Sequence, residues 1–157
     1  FSRLFLRATT DAEVVTGSDS EFGEESERGK ALADVWLHPD SEHLNKQSLM
    51  QSRRITKPVF RIGRRTAGTP NYSDENAPEL LIFEASPYTL SKLQCQIEIN
   101  ESGVLVRDLG SRNGTKIGDK RLISPRRKEK AVLVPKGSHT LVLGSGEGPF
   151  RFRLEVK

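Results

Sequence analysis

The sequence contains little of what an enzyme active site, a metal centre or a disulfide framework requires. Its 157 residues include one cysteine, Cys95, and three histidines, and these side chains do not stand at the spacing of metal ligands or of a nucleophile and its base. A single cysteine cannot form a disulfide within the chain, which excludes a disulfide-stabilised secreted scaffold. We therefore expect an intracellular, non-catalytic protein with no metal ion or other cofactor.

Long apolar runs are also missing. No stretch approaches the roughly 18 to 20 apolar residues of a membrane span, and Phe1 to Thr10 has two arginines and no apolar core, unlike a signal peptide. The length is typical of a single domain. We therefore expect the chain to be soluble. Because it begins with phenylalanine rather than methionine, we also expect it to be a piece of a longer protein.

Acidic and basic side chains are unevenly distributed. Residues 1–30 carry seven acidic and four basic side chains, a net charge of −3, whereas the whole chain carries +4, so residues 31–157 carry +7. A basic domain indicates an anionic partner such as nucleic acid, an acidic lipid or a phosphorylated protein, without choosing among them.

Short alternating runs separated by glycine, proline, asparagine and serine dominate the chain after Arg54. This pattern predicts an all-β sandwich or barrel, and no long amphipathic helix competes with it. The runs that we predict to be strands are residues 59–62, 80–83, 94–99, 104–106, 131–134, 139–143 and 150–156.

The N-terminal part of the chain allows two placements of the first strand. Phe1 to Ala8 mixes aromatic, leucine and arginine side chains at roughly period two, as a short strand does. In the first placement this segment is the first strand, and 9–51 form an acidic and polar insertion with too little apolar area to repay the entropy of ordering. In the second, Ala31 to Leu37 is the first strand and 1–30 are a tail. We favour the first, with 52–157 as the core of the sandwich.

Three short segments carry groups that suit an anion: residues 60–64, 90–92 and 108–115. The first ends in a glycine and an arginine, the second places a serine before a lysine, and the third is a tight turn in which two glycines permit positive φ. Charge-assisted hydrogen bonds to phosphate oxygens are roughly twice as strong as neutral ones. If the segments meet at one end of a sandwich, the side chains available to a phosphate dianion are Arg64, Ser91, Lys92 and Arg112.

The order of these motifs resembles the forkhead-associated (FHA) domain, a phosphothreonine-binding module. Gly63-Arg64 comes first, Leu90-Ser91 follows, and Asp108-Leu109-Gly110-Ser111-Arg112-Asn113-Gly114-Thr115 completes the set. The resemblance covers at least Ile55 to Lys157, and the last motif is rare by chance. It implies a β-sandwich of about eleven strands, with a long insertion near the N-terminus and with loops at one apex that hold a phosphothreonine peptide.

The resemblance also implies a role for each matching position. Arg64 and Ser91 would contact the phosphate, and Lys92 and Arg112 would add contacts from positions that vary within the family. Asn113 would bond the backbone of the peptide. A further position, Thr89, lies where the family often reads the residue three places after the phosphothreonine.

The loops themselves would be shaped by Gly63, Gly110 and Gly114. One position departs from the family pattern, because Gln94 stands three residues after Ser91, where the family usually has a histidine that ties the binding loops together. A glutamine side chain can donate and accept similar hydrogen bonds. The change therefore bears on the rigidity of the loops more than on contact with phosphate.

The N-terminal segment is similar to that of FHA domains of checkpoint-kinase type, in which a basic and aromatic first strand precedes a long insertion. By this analogy alone we favour the nucleus over the cytoplasm, and a role in signalling during the DNA damage response. Thr10 and Thr16 each have an acidic residue three places further on. Kinases that prefer acidic contexts could phosphorylate them and create a ligand for the same domain or for a second copy.

Two other functions stay open at the level of the sequence. Gln94 fits a degenerate FHA scaffold that binds a protein partner through a sheet face without phosphate. The basic charge fits a nucleic-acid-binding β-domain, although the basic run 126–130 contains no aromatic residue and is more typical of a solvated hairpin. We predict a phosphothreonine-dependent protein interaction module, with a phosphoprotein as its partner and no contact with a membrane.

Overall fold

The computed structural model describes residues 32–47, 50–65, 77–123, 126, 128–144 and 148–157. The described residues form eleven strands and one short helix, which confirms the predicted all-β sandwich. The strands are β1 Val35–Pro39, β2 Arg53–Ile55, β3 Val59–Arg64, β4 Leu80–Ile82, β5 Cys95–Asn100, β6 Gly103–Asp108, β7 Thr115–Ile117, β8 Lys120–Leu122, β9 Lys130–Val134, β10 Gly137–Leu143 and β11 Arg151–Val156, and the helix α1 is Glu42–Asn45.

Two sheets make up the sandwich. The first has six strands in the order β2-β1-β11-β10-β7-β8, and the second has five in the order β4-β3-β5-β6-β9. Neighbouring strands are antiparallel except for β3 and β4, which are parallel. The ends of β3 and β6 and the start of β5 therefore lie at the same end of the second sheet.

Alternating side chains build a common core between the sheets. In β5 and β6, Ile97 pairs in register with Val106, and both side chains are fully buried. Phe152 and Leu154 on β11 contribute from the other sheet and belong to the same apolar cluster. The alternation of apolar and polar residues along each strand thus gives each sheet one buried face and one solvent-facing face.

The position of the first described strand differs from the placement that we favoured for the N-terminal part of the chain. β1 lies inside the stretch 9–51 that we predicted to be an insertion, yet it pairs with β2 and β11 and is an integral strand of the six-stranded sheet. Its alternate side chains Val35 and Leu37 are buried, which explains why this segment joins the core. It overlaps the alternative placement at 31–37. The strand predicted for 1–8 lies outside the described residues and stays a prediction.

A single turn of helix follows β1, in a run that the sequence suggests is merely polar. Ser41 caps α1 by accepting a hydrogen bond from the N–H of Leu44, whose side chain is fully buried. Beyond the helix, the side-chain amide of Gln47 donates to the carbonyl oxygen of Phe83 at 2.8 Å and accepts from its N–H at 3.1 Å. These two hydrogen bonds fix the start of the segment that follows β4.

Candidate functional site

Two loops meet at the end of the sandwich where β3 and β6 finish. The first, loop A, comprises residues 83–94 between β4 and β5, and the second, loop B, comprises residues 109–114 between β6 and β7. Their contact is direct, because the main-chain N–H of Arg112 donates to the hydroxyl oxygen of Ser91 at 3.0 Å. The second and third segments that the sequence singled out, 90–92 and 108–115, are therefore neighbours.

Arg64, the last residue of β3, lies beneath loop A. Its N–H donates to the carbonyl oxygen of Ser91 at 3.0 Å, and its Nη1 donates to the carbonyl oxygen of Leu90 at 2.6 Å. The guanidinium carbon lies 4.0 Å from the centroid of the Tyr88 ring. Nε is buried and has no hydrogen-bond partner among the described residues. The side chain is half-buried, so this cation is held in place beside Ser91 instead of moving freely in solvent.

Ser91 is at the centre of the contacts between the loops. Its N–H donates to Oε1 of Gln94 at 2.9 Å, and its oxygen accepts the hydrogen bond from loop B. Within the described ranges the hydroxyl group makes no hydrogen bond as a donor, so its proton remains available to an anion. Two exposed cations lie beside Ser91: Lys92, the next residue, and Arg112, whose N–H binds the Ser91 hydroxyl. Neither forms an ion pair with a carboxylate of the described residues.

Gly63 allows β3 and loop A to approach each other. A Cβ atom at this position would lie 1.9 Å from the carbonyl oxygen of Lys92, far inside any van der Waals contact. Only glycine fits this approach. In loop B, Gly110 and Gly114 have φ values of 76° and 87°, which confirms the positive φ expected for both.

Gln94 connects the two loops from below and is completely buried. Its side-chain Nε2 donates to the carbonyl oxygen of Gly114 at 2.7 Å and also lies 3.1 Å from the hydroxyl oxygens of Ser111 and Thr115. Together with the acceptor contact from Ser91, every polar atom of the amide is satisfied inside the protein. The glutamine therefore links loop A, loop B and the start of β7.

Loop B is held by a buried carboxylate at the end of β6. Asp108, fully buried, accepts hydrogen bonds from the N–H groups of Gly110 and Ser111 at 3.1 and 3.0 Å. It also accepts from the hydroxyl groups of Ser111 and Thr115 at 2.6 and 2.7 Å. Four donors compensate for burial of the charge, so the tight turn of the sequence motif is fixed by its own side chains.

Asn113 and Thr89 form a second link between the loops. The Nδ2 group of Asn113 donates to the carbonyl oxygen of Thr89 at 2.9 Å, a contact that does not use the accepting Oδ1 of the same amide. The hydroxyl group of Thr89 donates to Glu84 at 2.6 Å. The Thr89 hydroxyl is therefore engaged within the protein.

Two residues of this region are absent from the sequence-based prediction. Glu84 lies two residues after the end of β4 and is 9% exposed, and Tyr88 covers Arg64 although 48% of its own surface is exposed. A lone acidic residue at the end of a buried apolar run is the only signal that the sequence offers for Glu84. The two threonines predicted as phosphorylation sites, Thr10 and Thr16, lie outside the described residues.

A family model of the FHA domain matches residues 60–138, half of the chain. The chain therefore belongs to the FHA domain family. Full-length yeast Pml1p is 16% identical and superimposes with a TM-score of 0.56 over 80% of this chain and 83% of that one. The first FHA domain of Mycobacterium tuberculosis Rv1747 is 15% identical, with a TM-score of 0.52 over 80% and 98%.

A third similar structure is the FHA domain of an Arabidopsis thaliana hypothetical protein, at 18% identity and a TM-score of 0.50 over 80% of this chain and 85% of that one. At these identities the similarity concerns the fold. No curated protein sequence matches the chain. In the part of the chain that the structure describes, no helix has the length and hydrophobicity of a membrane span.

Proposed function

We propose that the domain is a non-catalytic, phosphorylation-dependent interaction module that binds phosphothreonine in a partner protein through loops A and B. Membership of the FHA family supports a phosphopeptide-binding role in general. The observation that carries the proposal is the hydrogen bond from the N–H of Arg112 to the hydroxyl oxygen of Ser91. With the contact of Arg64 to Leu90, it brings a hydroxyl proton, a fixed guanidinium and two exposed cations to one end of the sandwich. These are the donors that a phosphate dianion requires.

Each side chain has a distinct part in this proposal. The hydroxyl of Ser91 and the guanidinium of Arg64 bind phosphate oxygens, and the exposed side chains of Lys92 and Arg112 add charge at the rim. Asn113 keeps its Oδ1 for a backbone N–H of the peptide, since its Nδ2 is already used by loop A. Fixed donors lose less side-chain entropy when a phosphate binds than flexible donors do.

Isothermal titration with a phosphothreonine peptide library tests the proposal. The unphosphorylated peptides and a short DNA duplex serve as comparison ligands. We expect the double variant Arg64→Ala/Ser91→Ala to lose at least about a hundredfold in affinity, since two charge-assisted contacts are removed. Lys136→Ala is the matched control, because this exposed lysine lies in the turn between β9 and β10 at the other end of the sandwich.

The same titration separates the two competing functions. Binding that is equal for phosphorylated and unphosphorylated protein ligands, and that survives the double variant, would indicate a phosphate-independent scaffold. Binding to the duplex with a steep dependence on salt concentration would indicate a nucleic-acid-binding domain. Either result would replace the phosphothreonine proposal.

A ligand within the same chain is a further part of the proposal. Thr10 and Thr16 stand in acidic contexts, and their phosphorylation would present a phosphothreonine to the same domain or to a second copy. Light scattering of the phosphorylated and unphosphorylated protein tests this. Phosphorylation should raise the mass if copies associate or reduce the hydrodynamic radius if the contact is internal, and no change in either quantity would contradict it.

By analogy with FHA domains of checkpoint-kinase type, we also propose a nuclear role in signalling during the DNA damage response. Imaging of the tagged protein before and after DNA damage tests this part. Nuclear enrichment or recruitment to damage sites that depends on Arg64 would support it, and exclusion from the nucleus under both conditions would contradict it.

A further inference from the structure

Glu84 is a buried carboxylate with an unusual set of partners. Its Oε2 accepts hydrogen bonds from both the N–H and the hydroxyl of Thr89, at 2.7 and 2.6 Å, and its Oε1 accepts from the N–H of Leu90 at 2.9 Å. No cation among the described residues forms an ion pair with it. Among the described residues, the partners of the carboxylate thus all belong to loop A, and the carboxylate holds the loop in return.

The two residues that Glu84 holds are the ones that position the predicted binding side chains. The carbonyl oxygen of Leu90 accepts the hydrogen bond from Nη1 of Arg64, and the carbonyl oxygen of Thr89 accepts the one from Asn113. A shift of this dipeptide would therefore displace both side chains at once. Both sides of the segment are engaged, with N–H groups turned to the carboxylate and carbonyl groups turned to the site.

We propose that Glu84 is a positioning residue for phosphopeptide binding: it fixes residues 89–90 so that Arg64 and Asn113 are in place before a ligand arrives. This inference rests on the function proposed above. The same contact occupies the Thr89 hydroxyl, so Thr89 shapes the loop instead of reading a ligand side chain. An arrangement set in advance lowers the entropy cost of binding, which is the benefit of such a positioning group.

The variant Glu84→Gln tests the inference with little change in size. Its amide keeps one accepting oxygen, but its NH₂ group would face an N–H donor of loop A and cannot accept from it. We expect affinity for a phosphothreonine peptide to fall about tenfold, the equivalent of one charge-assisted hydrogen bond. Glu79→Gln is the matched control, because the carboxylate of Glu79 accepts from the N–H of Arg61 at 2.6 Å and pairs with Lys57 at 3.5 Å, both outside the two loops.

Measurements on the unbound protein test the role of Glu84 independently of whether the domain binds phosphothreonine. The side-chain amide signals of Asn113 and the amide hydrogen exchange of Leu90 report the position of the dipeptide by NMR without any ligand. We expect both to change in Glu84→Gln and neither to change in Glu79→Gln. Unchanged Asn113 signals would overturn the inference. Failure of the wild-type protein to prefer phosphorylated peptides would instead overturn the proposed function, whatever the NMR result.

The variant Thr89→Val separates the hydroxyl from the backbone contacts. It removes one of the three hydrogen bonds to Glu84 and leaves both N–H groups in place. We expect a smaller loss of affinity than in Glu84→Gln, and the same ranking of peptides that differ three places after the phosphothreonine. A changed ranking would show that Thr89 reads the ligand, and would contradict this part of the inference.

Discussion

The side-chain amide of Gln94 donates a hydrogen bond to the carbonyl oxygen of Gly114 at 2.7 Å, and so joins the start of β5 to the end of loop B. The FHA family usually has a histidine at this position. In this chain the glutamine also accepts from Ser91 and contacts two further hydroxyl groups. The departure from the family pattern therefore does not leave the two loops unconnected.

Replacement of Gln94 by leucine should destabilise the domain. The substitution leaves the N–H of Ser91 without its side-chain partner and the carbonyl of Gly114 with only its hydrogen bond from the N–H of Gly144. A buried polar group that loses its partner costs about 1 to 3 kcal/mol. We expect the free energy of unfolding in urea to fall by about 2 to 4 kcal/mol. Gln94→His should recover part of this loss, since imidazole can both donate and accept.

The matched control is Gln96→Leu, at a nearby half-buried position in β5 where the side-chain amide donates to Glu98. A change of less than about 1 kcal/mol is expected there. Equal losses in the two variants would show that the buried network around Gln94 adds no stability of its own.

Gly63→Ala should be among the most damaging single substitutions in the site. The added Cβ would meet the carbonyl oxygen of Lys92 at 1.9 Å, and main-chain atoms cannot move aside without displacing loop A. We expect a loss of at least about 2 kcal/mol in the free energy of unfolding. Gly118→Ala is the control, because nothing lies within 4 Å of its Cβ position and only its φ of +60° is strained, which costs about 1 kcal/mol. A Gly63→Ala protein as stable as Gly118→Ala would contradict the close approach.

The ring of Tyr88 should contribute to phosphate binding through Arg64. Its face lies 4.0 Å from the guanidinium carbon, and such a contact is worth about 0.5 to 1 kcal/mol at an exposed site. We therefore expect Tyr88→Ala to weaken binding of a phosphothreonine peptide about two- to fivefold, and Tyr88→Phe to keep nearly full affinity. Phe83→Ala, at an exposed aromatic residue of the same loop, is the control. If Phe83→Ala and Tyr88→Ala weaken binding equally, the ring does not act through Arg64.

Acid should destabilise the second sheet through Glu98. Burial raises the pKa of this carboxyl, but hydrogen bonds from Arg107 and Gln96 and the charges of Arg107 and Arg61 lower it more, so the net pKa lies below the ordinary 4.5. A carboxyl group with a lowered pKa in the folded state adds stability above its unfolded pKa and loses it as the pH falls through the folded value. Melting temperatures between pH 7 and pH 3 should therefore fall more steeply for the wild-type protein than for Glu98→Gln.

The control for this measurement is Glu101→Gln, at an exposed residue of the turn between β5 and β6. Its melting curve should follow that of the wild-type protein at every pH. If Glu98→Gln also follows the wild type, the ion pair with Arg107, 2.5 Å long, contributes nothing to the pH dependence.

Most strands of the sandwich could be predicted from the sequence, because strand formation depends on the pattern of neighbouring residues. Alternation in 59–62 and 94–99 corresponds to β3 and β5, and the turn glycines of loop B have the positive φ that their positions suggest. The alternation of apolar and polar residues decides which face of a strand is buried, and this alternation can be recognised in the sequence itself. The weak point is the start of the sandwich, where a short apolar run at 31–37 and an alternating one at 1–8 compete for the same strand.

The supporting contacts of the site could not be predicted, since they join residues whose proximity is created by the fold. Nothing in the sequence indicates that Tyr88 covers Arg64, or that Glu84 turns back to hold residues 89–90. Both contacts depend on the path of loop A, which is set by tertiary hydrogen bonds and not by residue preference. The motif residues are recognisable by type, whereas the residues that position them are not.

The most direct test of the account is a titration of the wild-type domain with one peptide in two forms, differing only in the phosphate on a single threonine. We expect the phosphorylated form selected from the library to bind at least about a hundredfold more tightly, because the phosphate supplies the charge that Arg64 and Ser91 are arranged to meet. Equal affinity for the two forms, across all library peptides that bind, would contradict the central claim that this end of the sandwich is a phosphothreonine site.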